Sequence, residues 1–193
     1  MLVAISLSGS GCSQKQQLVR QTPPKPEAVQ PQPRSAPQIT TLERWYLLVE
    51  QQRTAPELDK IVAVNTFFNG FDIVDDRYWW GEEDYWATLF ETLATSGGDC
   101  EDFSIAKYFT LRRLNIPDER LRLTYVISLK TKKPHMVLTC SLPAKNEPLV
   151  LDTAEPEVLP VSGRSDLVPV YSFNSGGYWL ARREKNWQGG LGF

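Results

Sequence analysis

One of the three cysteines in the chain stands inside a run of carboxylates. The stretch SGGDCEDFSIAKYF, residues 96–109, places Cys100 between Asp99 and Glu101, with Asp102 one position further on. Negative neighbours raise the pKa of a thiol and lower its reactivity, so this arrangement needs a reason. The glycine pair before Cys100 and the apolar residues after it predict that Cys100 begins a helix. The positive end of the helix dipole would there favour a thiolate.

The helix dipole alone is too weak to produce a reactive thiolate at neutral pH. It contributes roughly 0.3–2 kcal/mol, whereas the pKa of the thiol must fall by more than about one unit, at about 1.4 kcal/mol for each unit. A nucleophilic Cys100 therefore needs a base, and the chain contains one histidine, His135. Any imidazole that activates Cys100 must belong to His135.

A carboxylate that could orient this imidazole is Asp152. Alternate residues of a strand share a face, so His135 shares one with Val137 and Thr139. Asp152 ends the apolar run PLVLD, where an unpaired charge would be costly to bury. Antiparallel pairing of the two strands would let Asp152 bond to His135 and fix the imidazole tautomer. Cys100, His135 and Asp152 are then the nucleophile, base and orienting acid of a triad.

Each of these residues also has a purely structural interpretation. A cysteine at a helix start can be structural, a histidine at a strand start can be an ordinary core or surface residue, and Asp152 can cap the following turn. All three residues are expected at the ends of elements, where side chains converge on one side of a fold. That shared position favours the joint interpretation.

Helical segments precede strand segments along the chain. Apolar spacing predicts helices over residues 40–52, 58–71, 83–95 and 100–115, with Gly97 and Gly98 ending the third helix and the fourth buried on several sides. Alternating and β-branched runs predict strands of an antiparallel meander over residues 121–129, 135–140, 148–153 and 168–174. This order predicts an α+β domain over residues 39–193, whose last residues, 181–193, form a loosely attached end.

The first 38 residues differ from the rest in composition. Residues 1–12, MLVAISLSGSGC, are small and apolar and fall short of the roughly 20 residues that span a bilayer. We interpret them as the remnant of an export signal or as a lipoprotein signal, with Cys12 as a candidate lipid anchor. Residues 13–38 are rich in Gln and Pro and predict a disordered linker. The alternative is a disordered tail on a cytosolic protein.

Length and charge exclude some classes of protein. The chain has 193 residues, of which 41% are hydrophobic, enough for one sizeable core. Its net charge of −2, from 21 basic and 23 acidic residues, offers no basic surface for phosphates, so nucleic acid is not expected as a partner. Cys12, Cys100 and Cys140 form no CxxC pair and therefore signal neither a zinc site nor a disulfide framework. We expect Cys140, in the run MVLTCS, to be a small buried residue.

Three tryptophans precede the candidate nucleophile, at Trp79, Trp80 and Trp86. Large aromatic side chains in such a segment are expected in the core. The alternative is that they line a substrate cleft or a partner surface.

At these residues the sequence resembles the bacterial transglutaminase-like cysteine proteinases, and among them the LapG-type periplasmic proteases that release biofilm adhesins from the cell surface. The resemblance rests on DYWATLFETLATSGGDCEDFSIAKYFTLRRL, LRLTYV, HMVLTC, PLVLD and DLVPVYSFN, and it covers about residues 40–180. It implies a papain-like, transglutaminase-type fold. It also implies that Cys100 is the nucleophile, His135 the general base and acid, and Asp152 the orienting residue, with peptide cleavage through an acyl-enzyme.

The stretch GDCEDF further resembles the calcium site of the family. The resemblance implies that Asp99, Glu101 and Asp102 bind Ca²⁺, a cation that prefers hard oxygen ligands. Their charge would then no longer oppose a thiolate at Cys100. Glu83, Asp84 or backbone carbonyls are candidates for the remaining coordination. The alternative is that these acids only favour the positive start of a helix.

The function implied by the resemblance is that of a calcium-dependent periplasmic cysteine endopeptidase that controls biofilm attachment. Its substrate would be the N-terminal region of a very large repeat adhesin, cut at a small-residue site such as a pair of alanines. Its regulator would be an inner-membrane cyclic-di-GMP receptor. The alternatives are a transglutaminase-type acyl transferase with the same triad, and an inactive module that binds calcium or a receptor. A lipid anchor at Cys12 would depart from the soluble proteins usual in the family.

Overall fold

The computed structural model describes residues 39–181. The predicted signal, the predicted linker and all but the first residue of the predicted loose end lie outside the described residues. The helices of the described part are α1 (Thr41–Gln52), α2 (Glu57–Asn69), α3 (Asp76–Trp79), α4 (Leu89–Thr95) and α5 (Cys100–Arg113). The strands are β1 (Asp72–Ile73), β2 (Gly97–Gly98), β3 (Leu121–Ser128), β4 (Pro134–Cys140), β5 (Leu149–Leu151), β6 (Leu159–Pro160), β7 (Leu167–Asn174) and β8 (Gly177–Leu180). None of the helices within these bounds is long and apolar enough to span a bilayer.

The main sheet is antiparallel, and its six strands lie in the order β6-β5-β4-β3-β7-β8. The chain runs as a meander from β3 to β6, then returns to the free edge of β3, where Leu167 pairs with Ser128. The simple meander predicted from the sequence is therefore wrong from β7 onward. Alternation identifies a strand but not its neighbour, and the backbone groups along the second edge of the buried strand β3 require a partner.

Two apolar clusters lie on the two faces of the sheet. The larger cluster lies between the sheet and the helices and includes Trp45, Phe68, Leu93, Phe103, Leu111, Leu138 and Cys140. The smaller cluster is formed by Val126, Val137, Val150, Val161 and Leu167. Cys140 and Leu138 thus face the helices while Val137 faces the other way, as strand alternation predicts. The α+β class and the burial of Cys140 are confirmed.

Helix α5 is buried on several sides, as predicted. Phe103, Ala106 and Leu111 are almost fully buried against the other helices and the sheet. Thr110, also buried, accepts a hydrogen bond from Trp45 Nε1 at 2.9 Å, which ties α1 to this helix. These contacts hold the first residue of α5, Cys100, on a rigid element.

The segment before Leu89 is not helical, contrary to the predicted start at residue 83. Helix α4 begins after Thr88, which forms a capping box with Glu91. Upstream, the amide of Tyr85 donates to Asp76 Oδ2 at 2.6 Å, and the amide of Ala87 donates to Asp102 Oδ1 at 2.7 Å. A helix starting at residue 83 would bond the Ala87 amide to the Glu83 carbonyl, but the Asp102 carboxylate accepts from this amide, so the chain stays irregular there.

The prediction that Gly97 and Gly98 end helix α4 is wrong. The helix ends through Ser96, which adopts the left-handed conformation at φ 53°. Gly97 and Gly98 instead form β2, which pairs in parallel with Asp72 and Ile73 of β1. This pairing joins the segment that carries Asp76 to the start of α5.

Candidate active site

Cys100 is the first residue of helix α5, immediately after the β2 bridge. A β-carbon at Gly98 would lie 2.6 Å from Asp102 Oδ2, so glycine is required for this close approach. The buried Asp102 carboxylate accepts hydrogen bonds from the amides of Ala87 and Asp99, at 2.7 and 3.3 Å. Asp102 thereby fixes the first turn of the helix that presents Cys100.

The Cys100 thiol has two hydrogen-bonding partners in the described part of the chain. It donates to Glu101 Oε2 at 3.0 Å, and it accepts from the amide of Met136 at 3.4 Å. The thiol therefore lies against the peptide bond that joins His135 to Met136, but it is not hydrogen-bonded to the imidazole. Burial raises the pKa of the Cys100 thiol, and the charge and hydrogen bond of Glu101 raise it further. The thiol is protonated in this arrangement.

The structure brings His135 and Asp152 together at the ends of neighbouring strands. His135 Nε2 lies 2.6 Å from Asp152 Oδ1, and the imidazole is mostly buried. Asp152 follows directly after β5, which pairs with β4 in antiparallel register. Asp152 Oδ1 also accepts from the amide of Ala154 at 2.9 Å.

Further donors lie around Asp152 that sequence reasoning missed. Arg164 Nη2 donates to Asp152 Oδ2 at 2.7 Å, and Asn69 Nδ2 donates to the Asp152 carbonyl at 2.8 Å. Lys107 Nζ in turn donates to Asn69 Oδ1 at 2.7 Å. Burial alone would raise the pKa of Asp152, but the bonds from His135, Ala154 and Arg164 hold it well below its ordinary value. Asp152 is therefore ionised.

One of these donors left a signal in the sequence. Lys107 stands in the middle of a helix predicted to be buried on several sides, where a charged side chain needs a partner. Burial lowers the pKa of Lys107 to about 7, against the opposing pull of Asp152. Asn69 and Arg164 lie at a helix end and in a loop, and no pattern in the sequence distinguishes them.

Carboxylates converge at the start of α5 in two overlapping groups. One group is Asp76, Asp84 and Glu101, and the other is Asp76, Asp99 and Asp102; within each, one oxygen per residue lies within 4.8 Å of the others. Asp76, the first residue of α3, is common to both groups. Sequence reasoning missed Asp76 because the run VDDRYWW has no periodicity that separates one aspartate from the next.

These carboxylates have the properties of an incomplete cation site. Asp76 Oδ1 and Asp99 Oδ1 are buried and have no hydrogen-bond partner among the described residues. Burial and neighbouring carboxylates raise the pKa of Asp99 to about 8 and that of Asp102 to about 6. The pKa of Asp76 is also raised, chiefly by burial. Converging hard oxygens with unmet hydrogen bonds and excess negative charge fit a divalent cation such as Ca²⁺.

Two of the three tryptophans next to this site are exposed, and the third, Trp80, is half-buried. Trp79 and Trp86 are 41% and 44% exposed, so the expectation of burial is wrong for both. Trp86 stacks on Phe173 of β7, with ring centroids 5.9 Å apart, and its Nε1 donates to Asp84 at 2.9 Å. These side chains form an aromatic surface beside the acidic groups.

A cysteine at the start of a buried helix, packed against a sheet that carries a histidine bonded to an aspartate, is an arrangement typical of cysteine proteases. The family model for bacterial transglutaminase-like cysteine proteinases matches residues 38–180. The chain belongs to this family.

Solved structures of Legionella pneumophila LapG share this fold. One is 42% identical, covers 73% of this chain and 78% of its own chain, and has a TM-score of 0.67. A calcium-bound form is 40% identical over 79% of this chain and 84% of its own, and an EGTA-treated form is 42% identical over 74% and 76%; each has a TM-score of 0.68. No curated protein sequence gives a significant match. The predicted transglutaminase-like fold and the resemblance to LapG-type proteins are confirmed.

Proposed function

We propose that this chain is a calcium-dependent cysteine endopeptidase whose nucleophile is Cys100, with His135 as general base and acid and Asp152 as orienting residue. One observation carries this proposal. The Cys100 thiol lies against the His135–Met136 peptide bond, and His135 Nε2 lies 2.6 Å from Asp152 Oδ1. Membership of a cysteine proteinase family gives this geometry its chemical meaning.

The proposed reaction follows from the hydrogen bonds of Asp152. An ionised carboxylate only accepts, so the proton of a neutral imidazole stands on Nε2 and leaves Nδ1 free to take the thiol proton. The thiolate of Cys100 then attacks the substrate carbonyl, and backbone N–H groups at the start of α5 stabilise the oxyanion. His135 returns the proton to the leaving amine, which yields an acyl-enzyme. His135 next removes a proton from water, whose attack releases the second product and restores the thiol.

The acidic groups at the start of α5 are the proposed calcium site. Asp99, Glu101 and Asp102 are joined there by Asp76, and Asp84 completes the set. The buried, unpaired oxygens of Asp76 and Asp99 support this assignment, as does the calcium-bound form of the LapG relative. Bound there, Ca²⁺ would supply positive charge against these carboxylates. Glu101 is the acid that accepts the thiol hydrogen bond, so its charge matters most to Cys100.

The proposed substrate and setting rest on the resemblance to LapG-type proteases. We assign to this chain the cleavage of the N-terminal region of a large repeat adhesin at a small-residue site, which controls biofilm attachment. The proposed location is the periplasm, with residues 1–12 as the export or lipoprotein signal and Cys12 as the candidate lipid attachment. The proposed regulator is an inner-membrane cyclic-di-GMP receptor that sequesters the protease.

A cleavage assay tests this function. Purified protein is incubated with an adhesin N-terminal fragment and a fluorescent amine, in Ca²⁺ or in EGTA. We expect cleavage in Ca²⁺, loss of cleavage in EGTA and in Cys100→Ala, and full cleavage in Cys140→Ala, which serves as the matched control. Amine incorporation without cleavage would instead establish an acyl transferase. A folded wild-type protein that does neither in Ca²⁺ would establish an inactive binding module.

A further inference from the structure

Arg164 is a buried arginine whose role the proposed catalytic chemistry leaves unassigned. It follows a turn of 3-10 helix, Val161–Gly163, and is only 3% exposed. Its Nη2 atom donates to Asp152 Oδ2 at 2.7 Å. Burying two charges is costly unless they are well paired, so this contact is a specific arrangement of the fold.

The guanidinium of Arg164 is itself held by a second carboxylate. Nε donates to Asp166 Oδ1 at 2.9 Å and Nη2 donates to Asp166 Oδ2 at 3.1 Å. A two-point contact of this kind fixes the plane of the guanidinium as well as its position. Lys130 Nζ lies 3.2 Å from Asp166 Oδ2 and closes the network at the surface.

The two oxygens of Asp152 have separate partners. Oδ1 lies 2.6 Å from His135 Nε2, and Oδ2 lies 2.7 Å from Arg164 Nη2. A carboxylate bonded at only one oxygen can rotate, whereas bonds at both oxygens fix its plane. Together with the Ala154 amide, which donates to Oδ1 at 2.9 Å, Arg164 therefore sets how Asp152 presents Oδ1 to the imidazole.

The charged groups around Asp152 come from three elements. His135 contacts it from β4, Arg164 contacts it from the loop before β7, and Lys107 acts on it from α5, where it is bonded to Asn69. Asp166 is the acidic group nearest in this network, and its two bonds to Arg164 offset part of the arginine charge. Of the two cationic residues Lys107 and Arg164, only Arg164 contacts the Asp152 carboxylate directly among the described bonds.

We propose that Arg164 is a positioning residue, which holds Asp152 ionised and correctly oriented and thereby fixes the tautomer of His135. This inference rests on the proposed triad. An ionised Asp152 only accepts, so the imidazole proton must stand on Nε2. A protonated Asp152 would donate to Nε2 and shift the imidazole proton to Nδ1. In that tautomer His135 cannot take the thiol proton from Cys100.

The tautomer of His135 can be measured directly, because the chain contains a single histidine. Untagged full-length protein labelled with ¹⁵N-histidine gives imidazole signals from His135 alone, and their shifts distinguish the two tautomers. We expect wild-type protein at neutral pH to carry the proton on Nε2. In Arg164→Gln we expect a mixture of tautomers, and in Arg164→Lys a return toward wild type. The matched control is Arg120→Gln, since Arg120 forms a two-bond ion pair with Glu57 outside the site.

Cleavage kinetics give a second readout. Misplacing a catalytic group by about 1 Å can reduce rate by about 10²-fold, so Arg164→Gln is expected to lower kcat by that order. KM should stay within about twofold, because Arg164 is buried and its hydrogen bonds go to Asp152 and Asp166. Arg164→Lys and Asp166→Asn should fall between Arg164→Gln and wild type, while Arg120→Gln should match wild type.

The outcomes separate this inference from the proposed function. If wild-type protein does not cleave, the proposed function fails, yet the histidine signals still decide what Arg164 does. Wild-type tautomer and wild-type kcat in Arg164→Gln would overturn the inference. If Arg164→Gln does not fold, the same wild-type values in both Arg164→Lys and Asp166→Asn would overturn it, and graded changes in the two would support it.

Discussion

Two buried carboxylates in this protein respond to burial in opposite ways. Asp152 and Asp102 are 1% and 0% exposed, respectively. The pKa of Asp152 is held well below its ordinary range, because its bonds to His135, Ala154 and Arg164 outweigh the cost of burial. The pKa of Asp102 is raised to about 6, because two backbone amides only partly offset burial and the neighbouring acids Asp76 and Glu101.

The two carboxylates differ in whether the chain itself supplies all their hydrogen-bond partners and counter-charges. Around Asp152 the chain supplies its own cations, so the carboxylate is ionised and ready to orient an imidazole. Around Asp102 the nearby groups include further acids, and two of their buried oxygens, on Asp76 and Asp99, lack partners. We call the surroundings of Asp152 the closed site, because the chain itself supplies the counter-charges. We call the acidic groups around Asp102 the open site, because their excess negative charge fits a cation from solution. The Cys100 thiol lies between the two sites, with one bond to Glu101 and one to the backbone of the strand that carries His135.

The largest effect is expected from Asp152→Asn. An amide can donate to His135 Nε2 and so favours the tautomer that cannot accept the thiol proton. In a triad this change costs on the order of 10⁴-fold in kcat, and we expect a loss of about 10³–10⁴-fold in steady-state cleavage. Asp118→Asn is the control, because Asp118 bonds to Tyr108 and Ser175 outside the site. Cleavage by Asp152→Asn within tenfold of wild type would show that the closed site does not serve catalysis.

A smaller effect is expected on calcium affinity from changes in the open site. Asp76→Asn and Asp99→Asn each remove one charged ligand but keep an oxygen acceptor, and each should weaken Ca²⁺ binding by at least about tenfold. Titration calorimetry on Cys100→Ala protein measures this without self-cleavage. Glu83→Gln is the control, since Glu83 is exposed and paired with Arg77. An unchanged Ca²⁺ affinity in Asp76→Asn would show that Asp76 does not bind the cation and only accepts the hydrogen bond from the Tyr85 amide.

The smallest effect is expected on the pH dependence of stability in EGTA. Folding raises the pKa of Asp99 from its ordinary 3.8 to about 8, so the folded state binds this proton more tightly than the unfolded state. The stabilisation is therefore complete below about pH 4 and is lost as pH rises toward about 8. We expect Tm to fall across this window in wild type and to fall less in Asp99→Asn. For a chain of this size, each kcal/mol shifts Tm by about 2–4 °C.

Calcium provides the control for that measurement. Added Ca²⁺ should raise Tm most near pH 8, where the carboxylates are ionised, and least near pH 5. Parallel profiles of Tm against pH for wild type and Asp99→Asn in EGTA would show that folding does not raise the pKa of Asp99.

The sequence contained the elements of the site whose signals are local. A glycine pair followed by apolar residues placed Cys100 at a helix start, and strand alternation predicted which side chains of the β4 strand share a face. A single histidine left no choice of base. The charged end of PLVLD pointed to Asp152 because an apolar run ending in a carboxylate demands a partner.

The features that the sequence did not predict depend on contacts between segments that have no periodic pattern. Arg164 lies in the loop before β7, and only the folded path of the chain brings its guanidinium to Asp152. Asp76 meets Asp102 because β1 and β2 join their segments through Gly97 and Gly98. Helix α4 starts late because the Asp102 carboxylate accepts from the Ala87 amide, which an earlier helix start would use. Such long-range bonds leave no pattern in the local sequence.

We propose that His135 makes a thiolate of Cys100 when the open site holds Ca²⁺. The most direct measurement is the rate of iodoacetamide labelling at neutral pH, mapped by mass spectrometry to Cys100, with the buried Cys140 as internal reference. We expect fast labelling of Cys100 in Ca²⁺, slow labelling in EGTA, and slow labelling of His135→Gln in either condition. Equal labelling rates for wild type and His135→Gln in Ca²⁺ would contradict this proposal.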